Sequence, residues 1–147
     1  RRQRQMCIRD SFIIMDLANH SKEDILELYD ELKKSMMNTN TIYQWRRVYV
    51  RENKNNVCPT LTANMGTGGH NVPLIKVSDG IRKLTPTETF KLQGFPVGEG
   101  YNLPQEFNGK KYPDSQLYKQ AGNAVSVPVI TTLAEEILKI LEKNDNT

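Results

Sequence analysis

Cysteine and histidine are scarce in this chain. Its 147 residues include two of each, Cys7 and Cys58 with His20 and His70. This set forms neither a disulfide framework nor the Cys and His spacing of a zinc site. We therefore expect no bound metal and a reducing, cytoplasmic setting.

Long apolar runs are also missing. No stretch approaches the roughly 20 apolar residues that a membrane span needs, and charged residues make up 25% of the chain. This composition is typical of a globular protein, and we expect no membrane association. The length suits one domain or part of one.

The positive charge is concentrated at one end. The formal net charge is +3, and residues 1–11 carry four arginines and one aspartate, so the other 136 residues sum to zero. The segment QMCIRDS, from Gln5 to Ser11, can be encoded by the transposase-end adapter of sequencing libraries read in frame. We interpret residues 1–11 as an adapter artefact, exclude them from fold reasoning, and expect the native protein to extend upstream of Phe12. A genuine basic terminus is the alternative.

The first half of the chain predicts one helix and several strands. Apolar residues at helical spacing, after a capping-box-like start, indicate a helix from about Lys22 to Met37 within a helix-and-linker region, 12–40. The segment IYQWRRVYVR (42–51) is rich in β-formers and predicts a strand followed by a turn. The segments VCPTLTA (57–63) and VPLIKV (72–77) predict two further short strands.

The second half predicts three helical segments. Thr85, Pro86 and Glu88 form a helix-start signature, and the helix should end at Gly94. A helical turn is expected from about Asp114 to a stop at Gly122. A final helix restarts at Ser126, and its apolar stripe has no evident partner surface in this chain. That stripe consists of Ile130, Leu133, Ile137, Leu138 and Leu141.

The glycine-rich stretch TLTANMGTGGHNVP, from Thr60 to Pro73, admits three interpretations. A nucleotide cradle needs a Gly-Lys-Ser/Thr ending before a helix or a GxGxxG turn, and this stretch has neither. A plain hairpin connection and a loop that reads a ligand both remain.

A basic cluster with interleaved aromatic residues lies just before this stretch. It consists of Arg46, Arg47, Arg51 and Lys54, with Tyr43, Trp45 and Tyr49 among them. Guanidinium groups suit phosphates and base edges, which favours nucleic acid. A solvated sheet face explains the same pattern, and charge alone does not separate the two.

Three blocks resemble one family. The segment RKLTPTETFKLQGFP (Arg82 to Pro96) resembles the ninth motif of DNA cytosine-5 methyltransferases, and YKQAGNAVSVPVI (Tyr118 to Ile130) is similar to their tenth. The segment RRVYVRENKNNVCPTLTANMGTGGHNVPLI (46–75) resembles the end of their target recognition domain. The blocks stand in the family's order, and the resemblance covers roughly residues 43–141.

The resemblance implies the fold class. We expect an α/β chain, the C-terminal fragment of a Rossmann-like methyltransferase dependent on S-adenosylmethionine, with a small β-rich recognition domain and a docking helix. Residues 41–113 would hold the end of the recognition domain and the ninth motif. Residues 114–147 would hold the tenth motif and the helix that docks on the catalytic domain.

The resemblance also implies an activity. In the family a cysteine thiolate attacks C6 of a cytosine flipped out of duplex DNA, and C5 takes a methyl group from S-adenosylmethionine. The family's FxGxG, Pro-Cys and Glu-Asn-Val motifs are absent from this sequence. No catalytic residue is therefore assigned, and we expect this fragment alone to be inactive. Its expected partners are double-stranded DNA and the missing catalytic half, in an intact enzyme that is monomeric and of bacterial or phage origin.

The resemblance also assigns the family's functional residues to matching positions of this sequence. In this picture Gln44 and Arg47 reach base edges, Thr60 and Thr62 hold phosphates, and glycines let the backbone approach DNA closely. The full DNA-binding set is Gln44, Arg46, Arg47, Tyr49, Arg51, Thr60, Thr62, Ala63, Asn64, Gly66, Gly68 and Gly69. The cofactor-binding set is Asn123, Ala124 and Val125. The ninth-motif residues expected to be structural are Arg82, Leu84, Pro86, Glu88 and Gly94.

Two other functions fit the same motifs. The chain could be a separately encoded recognition subunit of a split methyltransferase. It could also be a non-catalytic protein that binds duplex DNA with a salt-dependent affinity.

Overall fold

The computed structural model describes residues 22–46, 49–65, 73–78 and 80–145. The interpretation of residues 1–11, and the predicted DNA-binding residues Arg47, Gly66, Gly68 and Gly69, lie outside the described residues. Those assignments stay predictions.

The described part of the chain forms a mixed helix-and-sheet fold. Its helices are α1 (Lys22–Ser35), α2 (Pro86–Leu92), α3 (Asp114–Asn123) and α4 (Val127–Asp145). Its strands are β1 (Ile42–Arg46), β2 (Tyr49–Glu52), β3 (Pro73–Val77), β4 (Gly80–Lys83), β5 (Glu106–Phe107) and β6 (Lys110–Lys111). The first four strands make an antiparallel sheet in the order β2-β1-β3-β4, and the last two form a separate hairpin.

Helix α1 covers one face of the four-stranded sheet. Leu32 of α1 and Met36, which directly follows the helix, pack against Tyr43, Leu74 and Ile81 in a buried cluster. The Met36 N–H donates to the Leu32 carbonyl at 2.9 Å, so Met36 continues the helical path and lies on the same face as Leu32. The Tyr43 hydroxyl accepts from the backbone N–H of Asn38 at 2.8 Å and donates to its carbonyl at 3.1 Å, which ties the helix exit to β1. The predicted helix is confirmed, and it ends two residues earlier than expected.

The segment predicted as one strand is two strands. β1 and β2 pair antiparallel, with Tyr43 opposite Glu52 and Gln44 opposite Arg51. By folding back on itself, the run of β-formers satisfies backbone hydrogen bonds that a lone strand would leave to water. The single-strand prediction is therefore wrong, although the β character is confirmed.

The predicted strand at VCPTLTA is also wrong. A short 3-10 turn, Lys54–Asn56, leads into an irregular segment that runs to residue 62. Pro59 lacks the N–H that a ladder needs, and Asn55 has a φ of 58°, which turns the chain out of an extended path. The prediction of VPLIKV as a strand is confirmed by β3.

A second core joins α2, α3 and the irregular segment. Its buried members are Met65, Phe90, Leu103, Leu117, Tyr118 and Ala121. Helix α2 begins at the predicted capping box, in which the Glu88 N–H donates to the Thr85 hydroxyl at 3.3 Å and the Thr85 N–H donates to the Glu88 carboxylate at 2.7 Å. The start signature read from the sequence is thus confirmed.

Of the last two helices, α3 departs from the expectation and α4 agrees with it. Helix α3 does not stop at Gly122 but continues to Asn123. Helix α4 is solvent-exposed from residue 128 to residue 144, so the predicted stripe has no partner within the described part of the chain. No helix among these residues is long and apolar enough to cross a membrane.

Candidate functional site

The hairpin of β1 and β2 forms one wall of an open cleft of about 450 Å³. Its lining residues are Gln44, Arg51, Asn53, Lys54, Val57, Cys58, Pro59 and Thr60. Gln44 is only 4% exposed, whereas Arg51, Lys54 and Thr60 are exposed. The cleft therefore has two cations and a hydroxyl at its accessible side and an amide at its base.

The turn that carries Lys54 is held in place by hydrogen bonds. The Asn53 N–H donates to the Ile42 carbonyl at 3.0 Å, and the Asn53 carbonyl accepts from the Thr41 hydroxyl at 2.8 Å. The Asn53 side chain donates to the Val57 carbonyl at 3.1 Å. These bonds fix the backbone on both sides of Lys54.

Within the described residues, the structure brings several of the predicted DNA-binding residues together on the β1–β2 hairpin. Arg46 is the register partner of Tyr49, and Gln44 is the partner of Arg51. Tyr49 is 58% exposed. Directly opposed residues share one face of a sheet, so Gln44, Tyr49 and Arg51 lie on the face opposite the Tyr43 core.

Cys58 lines the cleft but has the wrong chemistry for a nucleophile. Burial raises the pKa of its thiol from 9.0 to about 11. The reactive form of cysteine is the thiolate, which is a very minor species at neutral pH when the pKa is that high.

Residues Thr60 to Asn64 form a short segment anchored at both sides. The Thr62 hydroxyl lies 2.7 Å from the Asn64 side-chain oxygen, and the Met65 N–H donates to the Thr62 carbonyl at 3.1 Å. Leu61 and Met65 pack into the second core. Thr60 and Asn64 remain exposed, so the segment presents polar groups from a fixed base.

Gly122 explains why that segment lies where it does. A Cβ at this position would lie 2.2 Å from the carbonyl carbon of Thr62 and 2.3 Å from the nitrogen of Ala63. Only glycine permits so close an approach between two backbones. The sequence prediction used Gly122 as a helix stop and missed this role, because the contact is with a segment about sixty residues earlier in the chain.

The predicted cofactor residues follow directly after Gly122. Asn123 and Val125 are exposed and Ala124 is half-buried. The Ala124 N–H donates to the carbonyls of Gln120 at 3.0 Å and Ala121 at 3.3 Å, which ends α3 in a tight turn. The predicted cofactor turn and the predicted DNA segment therefore meet at one glycine.

The ninth-motif residues form internal contacts. The Arg82 guanidinium donates two hydrogen bonds of 2.8 Å to the Glu88 carboxylate. These bonds, reinforced by those from Thr85, lower the pKa of Glu88 to about 2. The Tyr118 hydroxyl donates to the Leu84 carbonyl at 2.6 Å, and burial raises the pKa of Tyr118.

The end of α2 is joined to the start of α4. Gly94 has a φ of +85°, and a Cβ there would lie 2.6 Å from Cδ of Pro128. The Val127 N–H donates to the Gln93 carbonyl at 2.8 Å, and the Gln93 side chain donates to the Ala121 carbonyl at 3.1 Å. These contacts support the structural role expected of Arg82, Leu84, Pro86, Glu88 and Gly94, which stays a prediction.

Among the described residues, the His, Cys, Asp and Glu side chains form no group of three or more that could hold a metal ion.

Comparison with known proteins identifies the family. The family model for C-5 cytosine-specific DNA methylase matches residues 3–139. The chain is 59% identical over 117 residues to the Type II methyltransferase M.Bsp6I of Bacillus sp. (strain RFL6). These 117 residues are 80% of this chain and 35% of the relative. It is 38% identical over 85 residues to the Type II methyltransferase M1.ScrFI of Lactococcus lactis subsp. cremoris, covering 58% of this chain and 20% of the relative.

The chain thus spans about a third of M.Bsp6I and a fifth of M1.ScrFI. No solved structure matches it. The family match nevertheless extends over most of the chain, including the cleft, the ninth-motif ion pair and the Gly122 contact. The chain belongs to the C-5 cytosine-specific DNA methylase family.

Proposed function

We propose that this chain is the C-terminal, DNA-recognising part of a DNA cytosine-5 methyltransferase. The intact enzyme would transfer a methyl group from S-adenosylmethionine to C5 of a cytosine in a specific duplex DNA site. The observation that carries the proposal is the family match over residues 3–139. The Type II methyltransferases among its relatives favour a place in a restriction-modification system.

The cleft supplies chemistry suited to duplex DNA. Arg51, Lys54 and Thr60 would contact phosphates, which position a protein on the duplex. Gln44 would read a base edge that reaches the cleft, because its amide offers both a donor and an acceptor. The remaining DNA contacts assigned from the sequence would extend this surface.

Asn123, Ala124 and Val125 would form one wall of the cofactor site. The exposed Asn123 amide can donate and accept hydrogen bonds, and exposed Val125 can cover an apolar face, so the residues fit such a group. Bound S-adenosylmethionine would supply the methyl group. These residues would hold and orient it, while the nucleophilic cysteine belongs to the catalytic portion.

Helix α4 would dock on the catalytic portion. Its large apolar side chains are about half exposed in this chain, among them Leu133 at 54% and Ile137 at 57%. An apolar stripe of this length is a docking surface rather than a solvated face. Because the chain spans 35% of M.Bsp6I, the remainder of such an enzyme is the occupant that we propose.

A chimeric enzyme tests the proposal. The segment of M.Bsp6I that matches this chain would be replaced by this chain's own residues, which gives a full-length protein called here the M.Bsp6I chimera. Methyl transfer from labelled S-adenosylmethionine to duplex DNA is the measurement. We expect the chimera to methylate cytosine at C5 and the 147-residue chain alone to transfer no methyl group.

Other outcomes separate the alternatives. If the chain alone binds duplex DNA and neither the chimera nor added cofactor produces methylation, the chain is a DNA-binding protein without methyltransferase function. Sequencing the genome upstream of Phe12 distinguishes the two remaining possibilities, a single-chain enzyme and a split enzyme with a separate recognition subunit. An in-frame catalytic half indicates a single chain, and a separate catalytic gene indicates a recognition subunit.

A further inference from the structure

We propose that Gly122 is a positioning residue that holds the DNA segment Thr60 to Asn64 in register with the cofactor turn Asn123 to Val125. The inference rests on the proposed function, because that function assigns the two segments their ligands. What it adds is a direct mechanical link between the two binding surfaces at a single position.

The contact is between backbones. A Cβ on Gly122 would lie 2.2 Å from the carbonyl carbon of Thr62, 2.4 Å from its oxygen and 2.3 Å from the nitrogen of Ala63. Ordinary contact between such atoms requires about 3.5 to 4.0 Å. A peptide group cannot rotate aside as a flexible side chain can, so any Cβ would force the two segments apart by about 1 Å or more.

The helix side of the contact is the more firmly held. The Ala121 side chain is fully buried, and the Ala121 carbonyl accepts a hydrogen bond from the Gln93 side chain at 3.1 Å. One turn earlier, the Tyr118 hydroxyl is bonded to the Leu84 carbonyl at 2.6 Å. The segment side depends on the packing of Leu61 and Met65. We therefore expect the DNA segment, rather than the cofactor turn, to move when a Cβ is added.

The position of Gly122 makes the test unusually discriminating. It lies inside α3, where glycine is a poor helix former and alanine is the best. In open space, Gly122→Ala would stabilise the protein. A destabilised or displaced segment in that variant would therefore come from the contact with Thr62 and Ala63.

The test compares Gly122→Ala with Gln116→Ala, an exposed position on the same helix, in the M.Bsp6I chimera. The measurements are the Kd for cognate duplex DNA, the Kd for an altered site, the Kd for S-adenosylmethionine and the thermal midpoint. For Gly122→Ala we expect cognate DNA binding to weaken by about tenfold or more, since a displacement of 1 Å at a binding site can cost that much. Discrimination against the altered site should fall, with the cofactor Kd unchanged, and Gln116→Ala should change none of these.

A second pair of variants covers the case in which Gly122→Ala does not fold. Met65→Ala and Leu103→Ala truncate side chains of the same core, but only Met65 belongs to the turn that anchors the DNA segment. Both should lower the thermal midpoint. Only Met65→Ala should weaken discrimination between the cognate and altered sites.

Two results would overturn the positioning role. One is Gly122→Ala with unchanged DNA binding, and the other is an equal loss of DNA and cofactor affinity, which would indicate a general structural defect. Equal effects of Met65→Ala and Leu103→Ala on discrimination between the cognate and altered DNA sites would also overturn the positioning role. An unsubstituted chimera that methylates no DNA would instead contradict the proposed function itself.

Discussion

The guanidinium of Arg82 and the carboxylate of Glu88 form a two-point ion pair, with both N···O distances 2.8 Å. Arg82 lies in β4, at the start of the ninth motif, and Glu88 lies in the first turn of α2, so the pair joins the strand to the helix. The same carboxylate accepts from the N–H of Thr85 at 2.7 Å. One side chain therefore caps the helix and binds the strand.

This pair makes stability depend on pH. The Arg82 hydrogen bonds lower the pKa of Glu88 from 4.5 to about 2. A lowered carboxyl pKa gives stabilisation that is fully present above the unfolded value of 4.5 and is lost as the pH falls toward 2. Both side chains are about a third exposed, so solvent screening reduces the effect.

We expect Glu88→Gln to lower the free energy of unfolding by about 1 to 2 kcal/mol at pH 7, after that screening. The difference from wild type should shrink below pH 4.5. Urea unfolding of both proteins at pH 7 and at pH 3 measures this difference in the free energy of unfolding. The control is Glu136→Gln, which removes an exposed ion pair with Lys139 and should cost less than about 0.5 kcal/mol. Equal losses at both pH values would contradict the assignment.

The two cations of the cleft should make DNA binding depend on the salt concentration. In the M.Bsp6I chimera, Arg51→Ala should remove one phosphate contact and lower the slope of log K against log salt by about 1. Lys54→Ala should behave alike, because both cations line the cleft. Lys110→Ala, which changes an exposed cation of the β5–β6 hairpin, is the matched control. An unchanged slope in both cleft variants would remove these residues from the interface.

Arg47 carries a different prediction, made from the family resemblance alone. A residue that reads a base edge should affect specificity more than affinity. Arg47→Ala in the chimera should therefore lose discrimination between the cognate site and altered sites. Competition binding with both duplexes measures it, and unchanged discrimination would show that Arg47 is not a base-reading residue.

A charge on the apolar stripe of helix α4 should leave the stability of the isolated chain unchanged but lower the activity of the intact enzyme. Leu133→Asp changes a half-exposed side chain, so thermal unfolding of the 147-residue chain should be nearly unaffected. In the chimera the same change would place a charge in the proposed interface with the catalytic portion and lower methyl transfer sharply. Glu135→Gln on the same helix is the control. Normal activity of Leu133→Asp would argue that the stripe contacts nothing essential.

Local signals in the sequence were sufficient for several elements. The capping box of Thr85 and Glu88 specifies the start of α2 with groups three residues apart, and the apolar spacing around Leu32 and Met36 specifies the buried face of α1. The ninth and tenth motifs were sufficient to place the chain in its family. Each of these signals is complete within one short segment.

The errors arose where distant segments decide the outcome. The run from Ile42 to Arg51 has uniform β propensity, and only its pairing in space shows that it folds back. Pro59 interrupts the VCPTLTA segment, whose Leu61 then packs against a core that includes residues as distant in sequence as Ala121. Gly122 reads as a helix stop because its real constraint, the Thr62–Ala63 peptide, is invisible in the local sequence.

Target recognition in a cytosine-5 methyltransferase is the role that we propose for this chain. Bisulfite sequencing of plasmid DNA from cells that express the M.Bsp6I chimera tests it most directly. We predict C5 methylation of cytosine confined to one short sequence, with weakened confinement in the Gly122→Ala chimera. A stable, folded chimera that leaves the plasmid unmethylated, or methylates cytosines without regard to sequence, would contradict the claim.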